Sequence, residues 1–413
     1  MYLNRRTVLF LSTILMTSPT IAADKTDSLS DALLQGKPNI EHRYRLASVD
    51  ADGFPRQALA STLRTKLGYK TKTYKGFTAY AEVDNILAIG AENYNDTLNG
   101  KTNFPVVADP ESTEFNQYYL MYQHQSGLWS KVGRQTISID GRRFIGTAPW
   151  RQNDRTFDAA AIGFKKDKFS AAYYYIWNVN RVVSGDHPRG NYKTNTHVLQ
   201  ANYKHSELLN AQVTGYLIDL NTGFTDLNQN LSSQTYSAKL NGQKTFDALT
   251  LGYRIEYGTQ SDYATNTQDF SADYQVYEAV AKGQNWHVIL NQEVLGSENG
   301  RSLSTPFGNL HKHNGHADIF LGGTPSEGLK DTAVTTHYTL PKSTGDLAGI
   351  NLSAVYHDFK SENGDISYGS EWNLILRKKL SKGLSLMVEG AFYKADQYAS
   401  DTKKLWFVLT AKY

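Results

Sequence analysis

Residues 403–413, KKLWFVLTAKY, decide the fold because they alternate between two kinds of side chain. One apolar stripe consists of Leu405, Phe407, Leu409, Ala411 and Tyr413. The other face carries Lys404, Thr410 and Lys412, although Trp406 and Val408 share it. Such a strand, ending on an aromatic residue, is typical of the strand that closes a transmembrane β-barrel. Any half-buried strand also alternates, so the interpretation depends on recurrence along the chain.

The alternation recurs in segments that turn residues separate. Two of these segments carry an exception, Ile176 and Met387, which are apolar on the otherwise more polar face. The clearest segments are 59–69, 77–84, 169–179, 209–217, 250–257 and 384–394. A repeat of this kind predicts an all-β chain rather than a single amphipathic strand in a mixed fold.

The connections between these segments alternate between short and long. Short ones fall near 70–76, 126–127, 165–168, 206–208, 244–248, 282–284, 341–348 and 380–383. Long ones fall near 50–56, 91–113, 140–155, 181–192, 221–231, 259–270, 298–331, 360–367 and 396–402. Nine long loops give nine hairpins, which predicts a transmembrane antiparallel β-barrel of about 18 strands with short periplasmic turns and long extracellular loops. A barrel of that size encloses a lumen wide enough for an aqueous channel unless loops fold inward.

The first residues have the pattern of a secretory signal. Arg5 and Arg6 precede an apolar run over 7–16, and Ala22 and Ala23 are small residues suited to cleavage. We therefore expect a signal peptide over 1–23 and one barrel domain over 24–413, in the outer membrane of a Gram-negative bacterium. An uncleaved N-terminal anchor is the alternative.

Composition excludes several classes of protein. Without residues 1–23 the chain loses two arginines and no acidic residue, so it stays nearly neutral, which argues against a nucleic-acid partner. The absence of cysteine excludes disulfides and thiolate metal sites. The chain is rich in aromatic residues, with 27 Tyr, 17 Phe and 6 Trp, yet low in mean hydropathy, as in a barrel where only alternate residues meet lipid. A large secreted β-sandwich or β-helix is the competing class.

The densest group of polar side chains lies in 133–158, at the outer ends of two adjacent strands and in the loop between them. Guanidinium groups bind carboxylates, phosphates or sugar hydroxyls with two hydrogen bonds, so inward-pointing arginines would form a constriction or a binding ladder. The alternative is a loop held to the barrel wall by Arg–Asp pairs, and the two interpretations are compatible. The candidate pore-lining residues are Arg134, Asp140, Arg142, Arg143, Arg151, Arg155 and Asp158.

Three stretches resemble a known family. They are GRQTISIDGRRFIG with WRQNDRTFD over 133–158, NFPVVADP over 103–110, and ADIFL with TP and GL over 317–329. They resemble the signature of the alginate export family of outer-membrane barrels, and the likeness covers nearly all of the chain after residue 23. The resemblance implies an eighteen-strand diffusion channel for an anionic or hydroxylated carbohydrate. It also places Arg134, Arg142, Arg143, Arg151 and Arg155 in the arginine-rich segment that lines the conduit.

The predicted lumen departs from that of a dedicated polyuronate exporter, which needs a strongly positive interior to pass a polyanion. Both signs of charge occur on the faces assigned to the lumen, namely Arg64, Lys66, Arg254, Arg377 and Lys379 with Glu82, Asp84, Glu256, Glu293 and Glu389. A smaller substrate or a general solute fits this mixture better than alginate.

The loop over 298–331 is long enough to enter the mouth of the barrel as a plug or lid. Its His311, His313 and His316 have a spacing that could bind a metal, but exposed loop histidines are the simpler interpretation, so we expect no metal site. No motif for a nucleophile is present, so we expect no catalytic residues, no cofactor and no enzyme activity.

Together these observations predict a monomeric outer-membrane channel for passive diffusion of anionic or hydroxylated, carbohydrate-related solutes through an arginine-containing constriction. Its partners would be outer-membrane lipid and a small or oligomeric solute. A structural or adhesive barrel with an occluded lumen is the alternative.

Overall fold

A computed structural model describes residues 25–220, 231–264 and 266–413. The signal peptide expected over 1–23 lies outside these residues. The described part contains eighteen long strands, each hydrogen-bonded to its neighbours in antiparallel order. They are β1 Lys37–Ala51, β2 Ala58–Lys70, β3 Phe77–Asn93, β4 Ser112–Gln123, β5 Leu128–Gln135, β6 Thr156–Lys166, β7 Phe169–Asn180, β8 Asn191–Lys204, β9 Asn210–Ile218, β10 Ser233–Phe246, β11 Leu249–Asp262, β12 Ser271–Lys282, β13 Trp286–Leu295, β14 Leu329–Thr339, β15 Asn351–Lys360, β16 Ser367–Lys379, β17 Leu384–Ala395 and β18 Thr402–Lys412.

The sheet closes on itself because β1 pairs with β18 over the register from Glu41 opposite Lys412 to Ala51 opposite Thr402. The stretch chosen from the sequence is therefore the closing strand. The prediction of an antiparallel barrel with eighteen strands is confirmed. We call the end with the nine loops the loop end, and the end with the eight turns and both barrel termini the turn end.

Connection length separates the two ends incompletely. Residues 340–350 form a turn-end connection that is longer than the loop-end connections 52–57, 361–366 and 396–401. The shortest turns have two residues and place Asp167 and Asp247 at φ of +51° and +49°. Aspartate tolerates this left-handed conformation better than most residues, which makes it suitable for a tight hairpin.

The outer surface presents the apolar half of each alternation. Leu199, Val213, Leu290 and Leu405 are examples of aliphatic side chains that are more than half exposed at mid-strand. Exposed aromatic side chains lie toward both ends of the strands, as in outer-membrane barrels where rings occupy the two interfaces. At the turn end these are Tyr69, Phe77, Phe246, Trp286 and Tyr338, and toward the loop end Phe115, Tyr118, Tyr236, Tyr257 and Phe392.

Few other elements occur in the described part of the chain. One helix, α1 over Leu29–Leu34, is capped by the Ser28 side chain, which accepts a bond from the Asp31 amide at 3.2 Å. Among the described residues no helix has the length and apolar character needed to traverse a lipid bilayer. Short 3-10 turns cover Asp140–Arg142, Leu310–Lys312 and Lys342–Leu347.

The interior of the loop half of the barrel is packed rather than empty. Two long connections fold inward there, and we name them loop A (136–155, between β5 and β6) and loop B (296–328, between β13 and β14). Apolar side chains of both loops are buried against inward-facing strand residues. The loop members are Ile137, Ile139, Phe144 and Ile145 with Leu303, Phe307, Ala317 and Phe320, and the strand members include Ile176, Val198, Tyr216, Tyr274 and Trp406.

Candidate functional site

Loop A lies against the inward face of β1 and β2, and four basic side chains hold it there. Arg43 donates to the Gln152 side chain at 2.9 Å and to the Pro149 carbonyl at 2.7 Å. The other contacts are Arg45 with the Trp150 carbonyl, Arg64 with the Gln152 carbonyl, and Lys66 with Asp154. These bonds satisfy carbonyls that a buried loop would otherwise leave without a partner.

Asp154 is the charged end of this attachment. Burial alone would raise the pKa of its carboxyl, but Lys66 and Arg64 beside it hold that pKa below its usual range. The carboxyl is therefore ionised at neutral pH. The neighbouring loop over 94–111 joins the same network because Asp109 pairs with Arg45 and accepts a hydrogen bond from the Gln152 amide at 3.0 Å.

Loop B lies against acidic side chains of β13, β14 and β16, and we call this part of the barrel the acidic wall. Asn314 donates to Glu293 at 2.8 Å and to Asp331 at 3.1 Å. The Ala317 amide donates to Glu371 at 2.8 Å, so the backbone of the loop is also held by the wall. Charges of both signs therefore line the lumen, since Arg64 and Lys66 under loop A also contact Glu41 and Glu82.

The two loops meet in the middle of the barrel. The isolated bridge between Ile145 and Phe307 aligns their backbones. Asp318 of loop B accepts from Arg151 of loop A at 3.3 Å and from Lys404 of β18 at 3.1 Å. Trp150 stacks on His311 with ring centres 4.3 Å apart and planes 7° apart. The loops therefore form one plug, and the inward Trp406 packs edge-on against Trp150 at 5.2 Å.

The seven candidate pore-lining residues have different positions. Arg143 and Arg151 reach carboxylates of the acidic wall and of loop B, since Arg143 lies 3.0 Å from Glu293. Asp140 pairs with Lys239 of β10 and Arg155 donates to the Gly308 carbonyl. These four residues attach loop A to the wall and to loop B, although only Arg151 does so through an Arg–Asp pair. Arg134 and Asp158 pair with each other at 2.8 Å, apart from the plug.

Arg134 lies on the outer face of β5. Val132 is exposed there, and no register shift separates the two residues in the pairing of β5 with β6. The guanidinium group lies 5.3 Å from the ring centre of Tyr118, which is also exposed on that face. The sequence left the face of this strand open, because it gave no sign of whether a bulge intervenes.

Replacing Arg134 with glutamine is expected to leave the ion selectivity of the protein unchanged, because the side chain and its partner Asp158 face away from the lumen. The reversal potential across a salt gradient in a planar bilayer measures this selectivity. A shift of that potential toward cation preference would place Arg134 in the ion path and contradict the assignment.

Arg142 differs from the other six candidates in its contacts. Among the residues that the structure describes, no carboxylate lies within ion-pair distance of its guanidinium. Asp140, Gly141 and Arg142 have φ of +43°, +71° and +72°, so two of the three are non-glycine residues in the left-handed region. Such strain costs about 1–2 kcal/mol per residue and is often found at functional positions.

Lys312 of loop B lies beside this strained turn. Its ammonium donates to the Gly141 carbonyl at 2.9 Å. Burial of the ammonium end, although the residue as a whole is exposed, lowers the pKa of Lys312 to about 8 together with the nearby cations Arg142 and Arg254. The two loops thus present two cations at their junction, and neither has a carboxylate partner within the described part of the chain.

Sequence reasoning missed several residues that hold the plug. Arg43 and Arg45 lie at alternate positions on the inward face of β1, a pattern that could have been found from the charges alone. Asp109 and Asp318 lie within the stretches that carry the family resemblance, but nothing in the sequence indicated their partners. The plug itself confirms that 298–331 folds into the mouth of the barrel.

Comparisons with known proteins agree with this architecture. The model of the family described as alginate export matches residues 36–290. The structure of OccAB4 from Acinetobacter baumannii is 15% identical with a TM-score of 0.70, and the match covers 91% of this chain and 98% of that one. OpdL from Pseudomonas aeruginosa is 13% identical with a TM-score of 0.67 and coverage of 92% and 98%. At these identities the likeness concerns the fold. Among the curated proteins no sequence matches the chain.

Proposed function

The chain belongs to the alginate export family, and we propose that it is a passive outer-membrane channel for small anionic or hydroxylated solutes, with Arg142 and Lys312 at its constriction. The observation that carries the proposal is the pair of cations without carboxylate partners where the two inward loops meet. An anionic or hydroxyl-rich solute offers the acceptors that these groups lack. Carbohydrate-related acids are the substrate class that family membership favours.

The occupation of the basic residues supports a small solute rather than a polyanion. The basic residues of β1 and β2 are occupied by loop A, so they offer no continuous basic surface along the lumen. A long polyanion requires many attractive sites in series. Two available cations match a solute that carries one or two negative charges.

The alternative, a structural or adhesive barrel with an occluded lumen, is favoured by the apolar packing between the loops. Planar bilayers separate the two functions. Reproducible single-channel steps from the folded protein support the channel, and their absence from protein that is folded supports the occluded barrel.

Replacing Arg142 and Lys312 together with glutamine is expected to lower the preference for anions over cations. A unit charge 6–8 Å from a passing ion in water contributes about 0.5–0.7 kcal/mol, which changes the partition of that ion about threefold. Because anions and cations respond in opposite directions, each charge removed is expected to change the anion-to-cation permeability ratio by about fivefold to tenfold. Reversal potentials across a salt gradient give the permeability ratio.

The Arg134→Gln variant is the matched control, since it removes one positive charge on the other face of the wall. If the double variant and the control give the same reversal potential as the wild type, the two cations do not lie at the constriction. Glutamine at 142 is shorter than arginine but keeps a polar side chain with three methylene or carbonyl carbons, so it disturbs the loop less than alanine would.

A further inference from the structure

Two histidines of loop B and a glutamate of the wall converge within the plug. His316 Nδ1 lies 2.6 Å from Glu389 Oε1, and His311 Nε2 lies 3.8 Å from the same oxygen. The candidate ligand atoms of the three residues all lie within 4.8 Å of one another. His311 is only 8% exposed, so the expectation of exposed loop histidines is wrong for this residue.

His311 is oriented by its other nitrogen. Its Nδ1 lies 2.7 Å from Asp318 Oδ1, and an ionised carboxylate there requires Nδ1 to carry the hydrogen. Nε2 then presents a lone pair. A carboxylate that fixes the tautomer of a histidine in this way is the usual outer partner of a metal-binding imidazole.

The lone pair of His311 Nε2 has no hydrogen-bond partner although the atom is buried. The nearest charged atom is Glu389 Oε1, which is also an acceptor when ionised. Glu389 Oε1 also contacts His316 Nδ1 at 2.6 Å, so the unsatisfied group is the buried lone pair of His311 Nε2, which is unfavourable unless a donor or a cation reaches it. The arrangement therefore points to a positively charged species between His311 and Glu389.

The neighbouring cations leave this position free. Arg151 and Lys404 bind Asp318 through Oδ2, whereas His311 uses Oδ1. Arg377 is half exposed and lies 3.9 Å from Glu389 Oε2, on the oxygen that the histidines do not approach. Trp150 and His316 both stack on the His311 ring, with ring centres 4.3 Å and 4.8 Å from its centre. In both Asp318 and Glu389, one carboxylate oxygen therefore contacts the lysine or arginine side chains and the other contacts a histidine.

We propose that His311 Nε2, His316 Nδ1 and Glu389 Oε1 bind a divalent transition-metal ion of the zinc class, with Asp318 as the outer partner of His311. Imidazole and carboxylate are ligands that zinc accepts, and three protein ligands leave the fourth position for water or a solute. Two ligand atoms about 2.0 Å from zinc at a tetrahedral angle are about 3.3 Å apart. The observed separations of 2.6 Å and 3.8 Å lie on either side of that value, and the whole set lies within 4.8 Å, so binding requires the two rings to move closer together by about an ångström.

The ligands come from two different elements. Because His311 and His316 belong to loop B and Glu389 to β17, a bound ion would tie the plug to the barrel wall. Occupancy would then reduce movement of loop B. Binding of the ion itself does not depend on whether the barrel conducts solutes.

The test is zinc binding by the protein purified in detergent and stripped with a chelator. We expect one Zn²⁺ per chain by calorimetry, and Co²⁺ in its place should give the visible absorption of a low-coordinate site with nitrogen ligands. Wild-type protein that binds neither ion would overturn the proposal, and this measurement needs no variant.

Variants assign the ligands. Glu389→Gln keeps the shape of the side chain and is expected to weaken Zn²⁺ binding at least tenfold, as is His316→Ala. His313→Gln is the matched control because it removes a histidine of the same loop whose ring bonds the Gly141 carbonyl instead. Folding of each variant is checked by the heat-dependent gel mobility of the barrel. Equal weakening by the control, or unchanged binding in Glu389→Gln, would place the ion elsewhere.

Discussion

Replacing residues 304–323 with a three-residue glycine-serine linker is expected to raise the single-channel conductance several-fold. These residues carry Phe307 and Ala317 into the interior, where they pack with loop A. Their removal leaves the mouth of an eighteen-strand barrel, which is wide enough for a water-filled pore. Conductance in planar bilayers at a fixed salt concentration measures the change.

The shortened loop can close without moving the strands. The Thr324 hydroxyl donates to the Leu303 carbonyl at 2.6 Å, so the two ends of the deleted segment are already adjacent. Deletion of 342–347 is the control, because this turn lies at the turn end and contains no buried residue. If the loop B deletion leaves the conductance at the wild-type value in folded protein, loop B does not obstruct the ion path.

Asp318→Asn is expected to open the plug without unfolding the barrel. The substitution leaves the cations Arg151 and Lys404 largely buried, with 14% and 12% of their side chains exposed and no other carboxylate in contact within the described residues. Breaking a buried ion pair costs about 3–5 kcal/mol, and the lower end applies because both cations keep some contact with water. About 3 kcal/mol corresponds to a factor of about 100 in the ratio of closed to open plug.

Single-channel recordings should therefore show frequent visits to a larger conductance in the Asp318→Asn variant. Asp358→Asn is the matched control, since Asp358 forms an exposed pair with Lys360 on β15 and such pairs contribute at most about 1 kcal/mol. Recordings that are indistinguishable between wild type and Asp318→Asn would show that this carboxylate does not hold the plug closed.

The sequence was sufficient for the barrel because lipid and lumen impose opposite requirements on alternate residues. That requirement acts on each strand separately, so the alternation of apolar and polar residues can be recognised without knowing which strands are adjacent in the sheet. The apolar exceptions on the inward face also have a physical reason. Ile176 and Trp406 are buried against the plug, and Met387 packs against the same apolar cluster. Exceptions to the alternation thus mark where the loops contact the wall.

The contacts of the plug could not be predicted in the same way. Arg143 and Asn314 are neighbours in space although 171 residues separate them in the chain, and local pattern carries no information about such pairs. Whether Arg134 faces the lumen or the lipid depends on which of the two alternating faces of β5 carries it. A single bulge in the strand would reverse that assignment. The residues were identified as a polar group, but their partners come from the packing of two irregular loops.

The pairing of β1 with β18 has a consequence for assembly. The bonds that close the cylinder join residues more than 350 positions apart, so closure requires the last strand of the barrel and is intrinsically slow. Loop A joins β5 to β6, so it can reach the basic side chains of β1 before that closure. Loop B acquires its bond to Lys404 only when β18 is present, so the plug is completed by the same strand that completes the cylinder.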